Sequence, residues 1–76
     1  MNKIVFRFYV VKDNYFFEVC FDSRLSFIDN FKLLNEIYKV DISNLHIYDD
    51  YAKRFVSLNT PINRYHFVEY TKLMLF

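Results

Sequence analysis

The chain is 76 residues long, contains no glycine, and carries a net charge of +1 at pH 7, with its ten basic and nine acidic residues interspersed. Without glycine it lacks the phosphate-cradling loops, dinucleotide-binding turns and nucleophile elbows that need a positive φ or a close backbone approach. The mixed charge disfavours nucleic acid as the main partner, because counterion release requires clustered Lys and Arg contacts.

Two alternating segments at the start of the chain predict a β-hairpin. Residues 3–11 and 15–21 each alternate between apolar and other side chains, and residues 12–14 form the turn between them. If the paired residues have numbers that sum to 25, Ile4 meets Phe21, and Arg7 lies opposite Glu18. This register aligns the two apolar faces and opposes the two charges.

An amphipathic helix is predicted after the hairpin. Ser26 and Asp29 have the spacing of a capping box, which places the helix start there. At 100° per residue, one face holds the apolar side chains, with two more at its flanks. The face comprises Phe27, Phe31, Leu34 and Tyr38, flanked by Leu33 and Ile37. The opposite face comprises Asp29, Lys32, Glu36 and Lys39, of which Lys32 and Glu36 form an i,i+4 pair. Residues 39–44 end the helix and connect it to the next strand.

The second half of the chain predicts three short strands. Residues 45–48 form the third strand, residues 49–54 a polar turn, and residues 55–57 the fourth strand. Thr60 and Pro61 open a turn with 3₁₀ helix through Tyr65, and residues 69–76 form the last strand, with Leu73 and Leu75 on one face. Where turns need an unusual φ, the chain must use residues other than glycine, which we predict to be Asp13, Asn14, Asn44 and Asn59.

This order of elements resembles the ubiquitin-like β-grasp family. Residues 60–67 resemble the ubiquitin segment in which a leucine is followed by a tyrosine at three residues and an isoleucine two further on; Ile62, Tyr65 and Phe67 match these places. Residues 71–75 resemble its last strand. Residues 45–47 resemble its third, with His46 where ubiquitin presents an isoleucine to partners. The resemblance implies a single α+β domain over residues 1–76, with a mixed four- to five-stranded sheet packed on one α-helix.

The end of the given sequence bears on which branch of the family is implied. Ubiquitin and the sulfur carriers of this fold end in a diglycine tail, whereas this sequence ends on the last strand at Phe76. It is therefore similar to small tail-less bacterial proteins of the YukD/EsaB type, which are associated with type VII secretion. Residue types with AT-rich codons make up half of the chain, which points to a low-GC bacterium or mobile element, with an AT-rich eukaryote as the alternative source. A truncated ubiquitin-like or sulfur-carrier protein is an alternative that requires the gene to continue to glycines.

The sequence predicts no catalytic residue, cofactor or metal site. Cys20 is the only cysteine, and no spacing brings His46 or His66 to it as a base. Asp49 and Asp50 together with the histidines match no zinc or calcium loop and are typical of a turn. An unpartnered cysteine fits a reducing compartment, and no run of about 18 apolar residues could span a bilayer. We therefore expect a cytoplasmic, non-enzymatic protein without a membrane span.

The outer face of the sheet is the predicted binding site for a protein partner. If the first and last strands are neighbours and the third lies beside the last, this face collects Val5, Arg7, Tyr9, His46, Tyr48, Met74 and Phe76. A half-exposed sheet with this aromatic and apolar character is typical of a protein-binding surface. Two alternatives are a homodimer that covers the face and single-stranded nucleic acid stacked on aromatic rings near Arg7, Arg64 and Lys72.

Overall fold

Five strands and one α-helix make up the regular structure of the described residues. The computed structural model describes residues 2–38 and 42–76, with no side-chain description for residues 35–38 and 42. In chain order the elements are β1 (Lys3–Val10), β2 (Tyr15–Asp22), α1 (Phe27–Tyr38), a 3₁₀ turn (Ile42–Asn44), β3 (Ile47–Asp49), β4 (Arg54–Val56), a second 3₁₀ turn (Ile62–Arg64) and β5 (Thr71–Leu75). All predicted strands, the helix and the predicted 3₁₀ turn are confirmed. The third and fourth strands are displaced by one or two residues from their predicted bounds.

The strands form one mixed sheet in the order β2-β1-β5-β3-β4. The hairpin of β1 and β2 has the predicted register, in which Ile4 pairs with Phe21 and Arg7 with Glu18. Strand β1 is parallel to β5, and β3 pairs with β5 in the antiparallel direction. The predicted neighbours of the first, last and third strands are thus confirmed. A parallel pair requires a long crossover, which the intervening helix and short strands provide.

Phenylalanine rings form the centre of the core between the sheet and α1. The five rings, each less than 2% exposed, belong to Phe6, Phe8, Phe21, Phe27 and Phe31. The centroids of contacting pairs among them lie 5.1 to 6.2 Å apart. Each ring removes about 150–250 Å² from water, so a domain of this size can be stabilised by a few large side chains.

The start of α1 is fixed by two polar side chains. The Ser26 hydroxyl accepts a hydrogen bond from the Asp29 N–H at 3.1 Å, which is one half of the predicted capping box. Asn30, only 4% exposed, accepts from the Asp22 N–H and donates to the carbonyls of Asp22 and Ser26. A buried amide is costly unless it is hydrogen-bonded. The two bonds to Asp22 join the end of β2 to the helix, and the third joins Asn30 to the residue that precedes the helix. No pattern in the sequence predicted this role for Asn30.

The helix buries a narrower face than predicted. Phe27 and Phe31 are buried and Leu34 is partly buried, as expected. Leu33 is 71% exposed, so its predicted place beside the core face is wrong. It lies about 120° around the helix from Phe27, and a helix packed on one side of a sheet leaves that direction open to solvent. The predicted roles of Glu36, Ile37, Tyr38 and Lys39 fall on side chains outside the described set.

Left-handed backbone occurs at four described residues, of which one was predicted. Asn14 has a φ of 51°, as expected; the others are Lys53 at 57°, His66 at 58° and Tyr70 at 64°. The predictions for Asp13, Asn44 and Asn59 are wrong. The position of a left-handed residue is decided by where the chain must reverse to enter the next element. His66 follows the C-cap of the second 3₁₀ turn, and the Tyr70 N–H reaches the Val5 carbonyl at 2.8 Å.

Candidate functional site

One row of side chains crosses the outer face of the sheet from edge to edge. It takes one residue from each strand, and each is the direct register partner of the next. In spatial order the row consists of Phe16, Tyr9, Met74, Tyr48 and Phe55, and we call it the aromatic row. It forms because these positions share a face in five strands at once, so the row is as wide as the sheet itself.

The side chains at the two ends of the aromatic row are more exposed to solvent than those at its centre. The rings of Tyr9 and Phe16 lie 4.6 Å apart, and those of Tyr48 and Phe55 make an edge contact at 5.0 Å. Phe16 is 62% exposed and Phe55 65%, whereas Tyr9, Tyr48 and Met74 are partly buried. The outer face therefore presents two large exposed rings, each of which packs against a partly buried tyrosine.

A further apolar corner adjoins the Phe55 end. The rings of His46 and Phe76 each lie 6.5 Å from the Phe55 ring. Reciprocal backbone hydrogen bonds between His46 and Phe76, of 3.2 and 2.9 Å, extend the β3–β5 pairing beyond the bounds of the two strands. These two predicted site residues thus lie next to the aromatic row rather than in it.

Positive charge lies along one side of the aromatic row. Arg7 is the register partner of both Glu18 and Lys72, and its Nε is 3.5 Å from the Glu18 carboxylate. The Arg7 guanidinium lies 5.4 Å from the Tyr70 ring centroid, and the Lys72 ammonium 5.8 Å from that of Phe16. Exposed contacts of these kinds contribute about 0.5–1 kcal/mol each at most, so they orient the cations more than they stabilise the fold.

Val5, the last of the seven predicted site residues, is separated from the aromatic row by Arg7. It is partly buried, lies opposite Cys20, and its N–H donates to the Glu69 carboxylate at 3.2 Å. All seven predicted site residues therefore lie on or beside the outer face. The structure brings Tyr9, Tyr48 and Met74 together in one row and leaves Val5 apart from it.

Two members of the aromatic row, Phe16 and Phe55, were absent from the predicted site. The signal for Phe16 was available, because the register that sums to 25 places it opposite Tyr9. Phe55 could not be placed in the same way, since its position opposite Tyr48 depends on the register of β3 and β4. Their exposure makes these two rings the most accessible members of the aromatic row.

Cys20, Asp49 and Asp50, which were considered for catalysis or metal binding, lie on the outer face or in the β3–β4 turn. Cys20 is exposed on the outer face. The Asp49 carboxylate, 4% exposed, accepts hydrogen bonds from the N–H groups of Tyr51 and Ala52, and Asp50 pairs with Lys53 at 3.1 Å. Both aspartates thus stabilise the β3–β4 turn. In residues 2–38 and 42–76, no group of three potential ligands from His, Cys, Asp and Glu is close enough to hold a metal ion.

Among the described residues, the most strongly perturbed carboxyl group lies at the end of β2. The Arg24 side chain donates to both oxygens of Asp22, at 3.1 and 2.8 Å, and the Arg24 backbone N–H donates to one of them at 3.0 Å. These hydrogen bonds, the side-chain ones first, lower the pKa of Asp22 from 3.8 to about 2, and the same pairing raises the pKa of Arg24. The motif rigidifies the connection between β2 and the helix.

Comparisons with known proteins identify the fold. No protein-family model matches the chain, and no curated protein does. Among solved structures, the UBL domain of Plasmodium falciparum Dsk2 superposes with a TM-score of 0.76 at 15% identity, over 96% of this chain and 95% of that one. A ubiquitin-like domain from Arabidopsis thaliana gives 0.76 at 14% identity, over 100% and 78% of the two chains. A protein designed de novo on the basis of ubiquitin gives 0.77 at 13%, over 99% and 88%. The chain has a ubiquitin-like fold.

The predicted fold class is thereby confirmed: the ubiquitin-like fold of this chain has a five-stranded mixed sheet and one α-helix, as in a β-grasp. At identities of 13 to 15%, the likeness concerns the fold. Within the described residues, no helix of this domain has the length and apolar character needed to cross a membrane.

Proposed function

We propose that residues 1–76 form a single non-enzymatic ubiquitin-like domain that binds a protein partner through the outer face of its sheet. The observation that carries this proposal is the aromatic row, which crosses all five strands and ends in the exposed rings of Phe16 and Phe55. Exposed aromatic side chains on a rigid support are typical of binding hot spots, because they bury much area and lose little entropy.

The charge beside the row indicates what the partner presents. Lys72 has no carboxylate within 4 Å in the described parts of the chain, and Arg7 shares its charge with one half-exposed carboxylate. A complementary partner surface would therefore be apolar at its centre and acidic along one side. A partner surface with this charge pattern would fix the orientation of the bound partner as well as contribute to its affinity.

The proposed biological setting is the cytoplasm of a low-GC bacterium or mobile element. The codon-biased composition and the resemblance to tail-less proteins of the YukD/EsaB type support it, with an accessory role linked to type VII-like secretion. The neighbouring genes and the stop codon test this setting. Secretion genes beside the reading frame would support it, whereas a frame that continues past Phe76 to glycines would favour a carrier.

The binding proposal is tested with substitutions on and off the outer face. The partner is captured by the purified domain from its own host, identified and purified, and its Kd is measured for the wild type, Met74→Asp, His46→Asp and Leu33→Asp. Loss of a central contact should weaken binding by about 30-fold or more. Leu33→Asp, on the exposed side of the helix, is the matched control and should bind like the wild type. Unchanged thermal melts verify folding, and full binding by both sheet variants would contradict the proposal.

A second candidate is single-stranded nucleic acid, favoured by Arg7 and Lys72, two cations of the outer face that lie over aromatic rings. Bases could stack on the accessible rings while Arg7 and Lys72 contact phosphates. Titration with an oligothymidylate at two salt concentrations separates the candidates. Binding that weakens steeply with salt would favour nucleic acid, and absence of binding at low salt would remove this candidate.

A further inference from the structure

The free edge of β2 is the longest unpaired edge in the described sheet. Strand β2 ends the sheet order on one side and has eight residues, all paired one-to-one with β1, so no bulge interrupts it. It contains neither lysine nor proline, the residues that usually protect an edge. The opposite edge strand, β4, has only three residues. The two edges thus differ in their capacity to accept another strand.

The sheet register shows which backbone groups point outward from β2. The Val5 carbonyl accepts from the Tyr70 N–H, and the Val11 N–H, just past β1, donates to the Leu75 carbonyl, so the odd-numbered residues of β1 face β5. Since successive residues direct their N–H and C=O groups to opposite sides, the even-numbered residues of β1 bond β2. In a register that sums to 25, their partners in β2 are odd-numbered. The even-numbered residues of β2 therefore face the free edge.

One end of this edge is already occupied. Asn30 bonds both the N–H and the C=O of Asp22, which agrees with their outward direction. At the other end the chain turns at residues 11–14. Between these limits Phe16, Glu18 and Cys20 are all exposed, and their outward backbone groups have no hydrogen-bond partner in the described residues. We call this stretch, residues 16–20, the edge window.

We propose that the edge window binds an extended segment of a partner protein, which adds antiparallel to β2 as a sixth strand. Three residues with outward N–H and C=O groups match the alternate residues of a strand about five residues long. The outer side chains of the window are apolar at Phe16, acidic at Glu18 and apolar at Cys20. Arg7 contacts Glu18 from the β1 side at 3.5 Å, which leaves the half-exposed carboxylate open on its free-edge side. Because directly opposite partners interact most strongly, the incoming segment carries a basic residue there, between two apolar ones on that face.

Self-pairing of two copies is the less favourable use of this edge. An antiparallel register centred on Glu18 uses all the outward groups but sets Glu18 against Glu18, and like charges directly opposite are destabilising. A shift by two residues places Glu18 opposite Cys20 but leaves Phe16 opposite Asp22, whose backbone groups Asn30 already holds. Glu18 therefore favours a heterologous basic strand over a second copy. This edge site does not depend on the outer-face site under Proposed function.

The test uses the peptide Thr-Val-Thr-Lys-Thr-Ile-Thr with blocked ends and amide hydrogen exchange of the whole domain. Bound antiparallel, its Ile, Lys and Val lie opposite Phe16, Glu18 and Cys20. We expect amide protection of these three residues to rise at least about tenfold, while Phe17 and Val19, already bonded to β1, change little. Protection that fails to alternate, or changes confined to Met74 and Phe55, would overturn the proposal.

Two matched variants identify the interaction. Cys20→Pro removes an outward N–H where an edge strand tolerates proline, and Cys20→Thr keeps it. We expect at least about a tenfold weaker Kd for the proline variant than for the threonine variant. The Glu18→Lys variant should bind the Lys peptide weakly and should bind more tightly a peptide that carries Glu in place of Lys. This charge exchange tests the proposal even if Cys20→Pro does not fold. Equal binding throughout, or protection that rises with protein concentration alone, would overturn the assignment to a heterologous strand.

Discussion

The two faces of the sheet are both rich in aromatic residues, but only one is covered. On the inner face, Phe6 and Phe8 contact helix rings and are fully buried. On the outer face, Phe16 and Phe55 have their described ring contacts with other side chains of that face, and each is more than 60% exposed. The same residue type therefore stabilises the fold on one face and remains available for binding on the other. The difference follows from which face α1 covers.

The largest expected effect is a loss of stability on the inner face. Phe8→Ala should lower the free energy of unfolding by about 3–5 kcal/mol, because it leaves a cavity among five contacting rings. The matched outer variant, Phe55→Ala, should cost less than about 1 kcal/mol. Urea denaturation followed by circular dichroism measures both. Equal losses would mean that the outer face also carries the fold.

A somewhat smaller effect is expected at the polar tie between the inner side of the sheet and the helix. Asn30→Ala should cost about 1–3 kcal/mol, since it leaves the part-buried Asp22 N–H without its partner and removes one of two donors from each of the Asp22 and Ser26 carbonyls. Asn30→Asp retains the acceptor for the Asp22 N–H and should lose less than the alanine variant at neutral pH. A larger loss for Asn30→Asp, in the same denaturation assay, would contradict the assigned hydrogen bonds.

A gain in stability is expected at His66, which has left-handed backbone in the connection between β4 and β5. His66→Gly should stabilise the domain by about 0.5–1 kcal/mol, because glycine adopts positive φ without the Cβ clash. Asn63→Gly, within the 3₁₀ turn, is the control and should lose stability through chain entropy. Thermal melts of the pair provide the measurement. A loss for His66→Gly would show that the imidazole makes a contribution larger than the backbone strain.

The smallest effect concerns a charge pair at the rim of the exposed face. Because the pKa of Asp22 is lowered to about 2, its pairing with Arg24 contributes stability above about pH 4, and this contribution is lost as the pH falls toward 2. Arg24→Gln should raise the pKa of Asp22 toward its usual value. A carboxyl-carbon NMR titration of both proteins measures this shift. An unchanged pKa would mean that the arginine hydrogen bonds are absent in solution.

Much of the fold followed from local patterns, whereas two of the five residues of the aromatic row were not predicted. Alternation in the first 22 residues predicted both strands and their register, because a turn of fixed length connects them directly. Tyr9 and Met74 could be placed on one face once the strand order was inferred from the resemblance. Phe55 was missed because β3 and β4 are three residues long, too short for alternation to show which side chains face outward.

The sequence by itself determined which residues alternate, where the helix starts and that no glycine was available for turns. Periodicity is a property of neighbouring residues, so these features need no knowledge of the rest of the chain. Only the tertiary structure decided that Leu33 is exposed, that Asn30 joins β2 to the helix, and that Lys53, His66 and Tyr70 take left-handed backbone. Each of these depends on where a distant segment lies. The aromatic row has the same origin, since it exists only when five separate strands come into register.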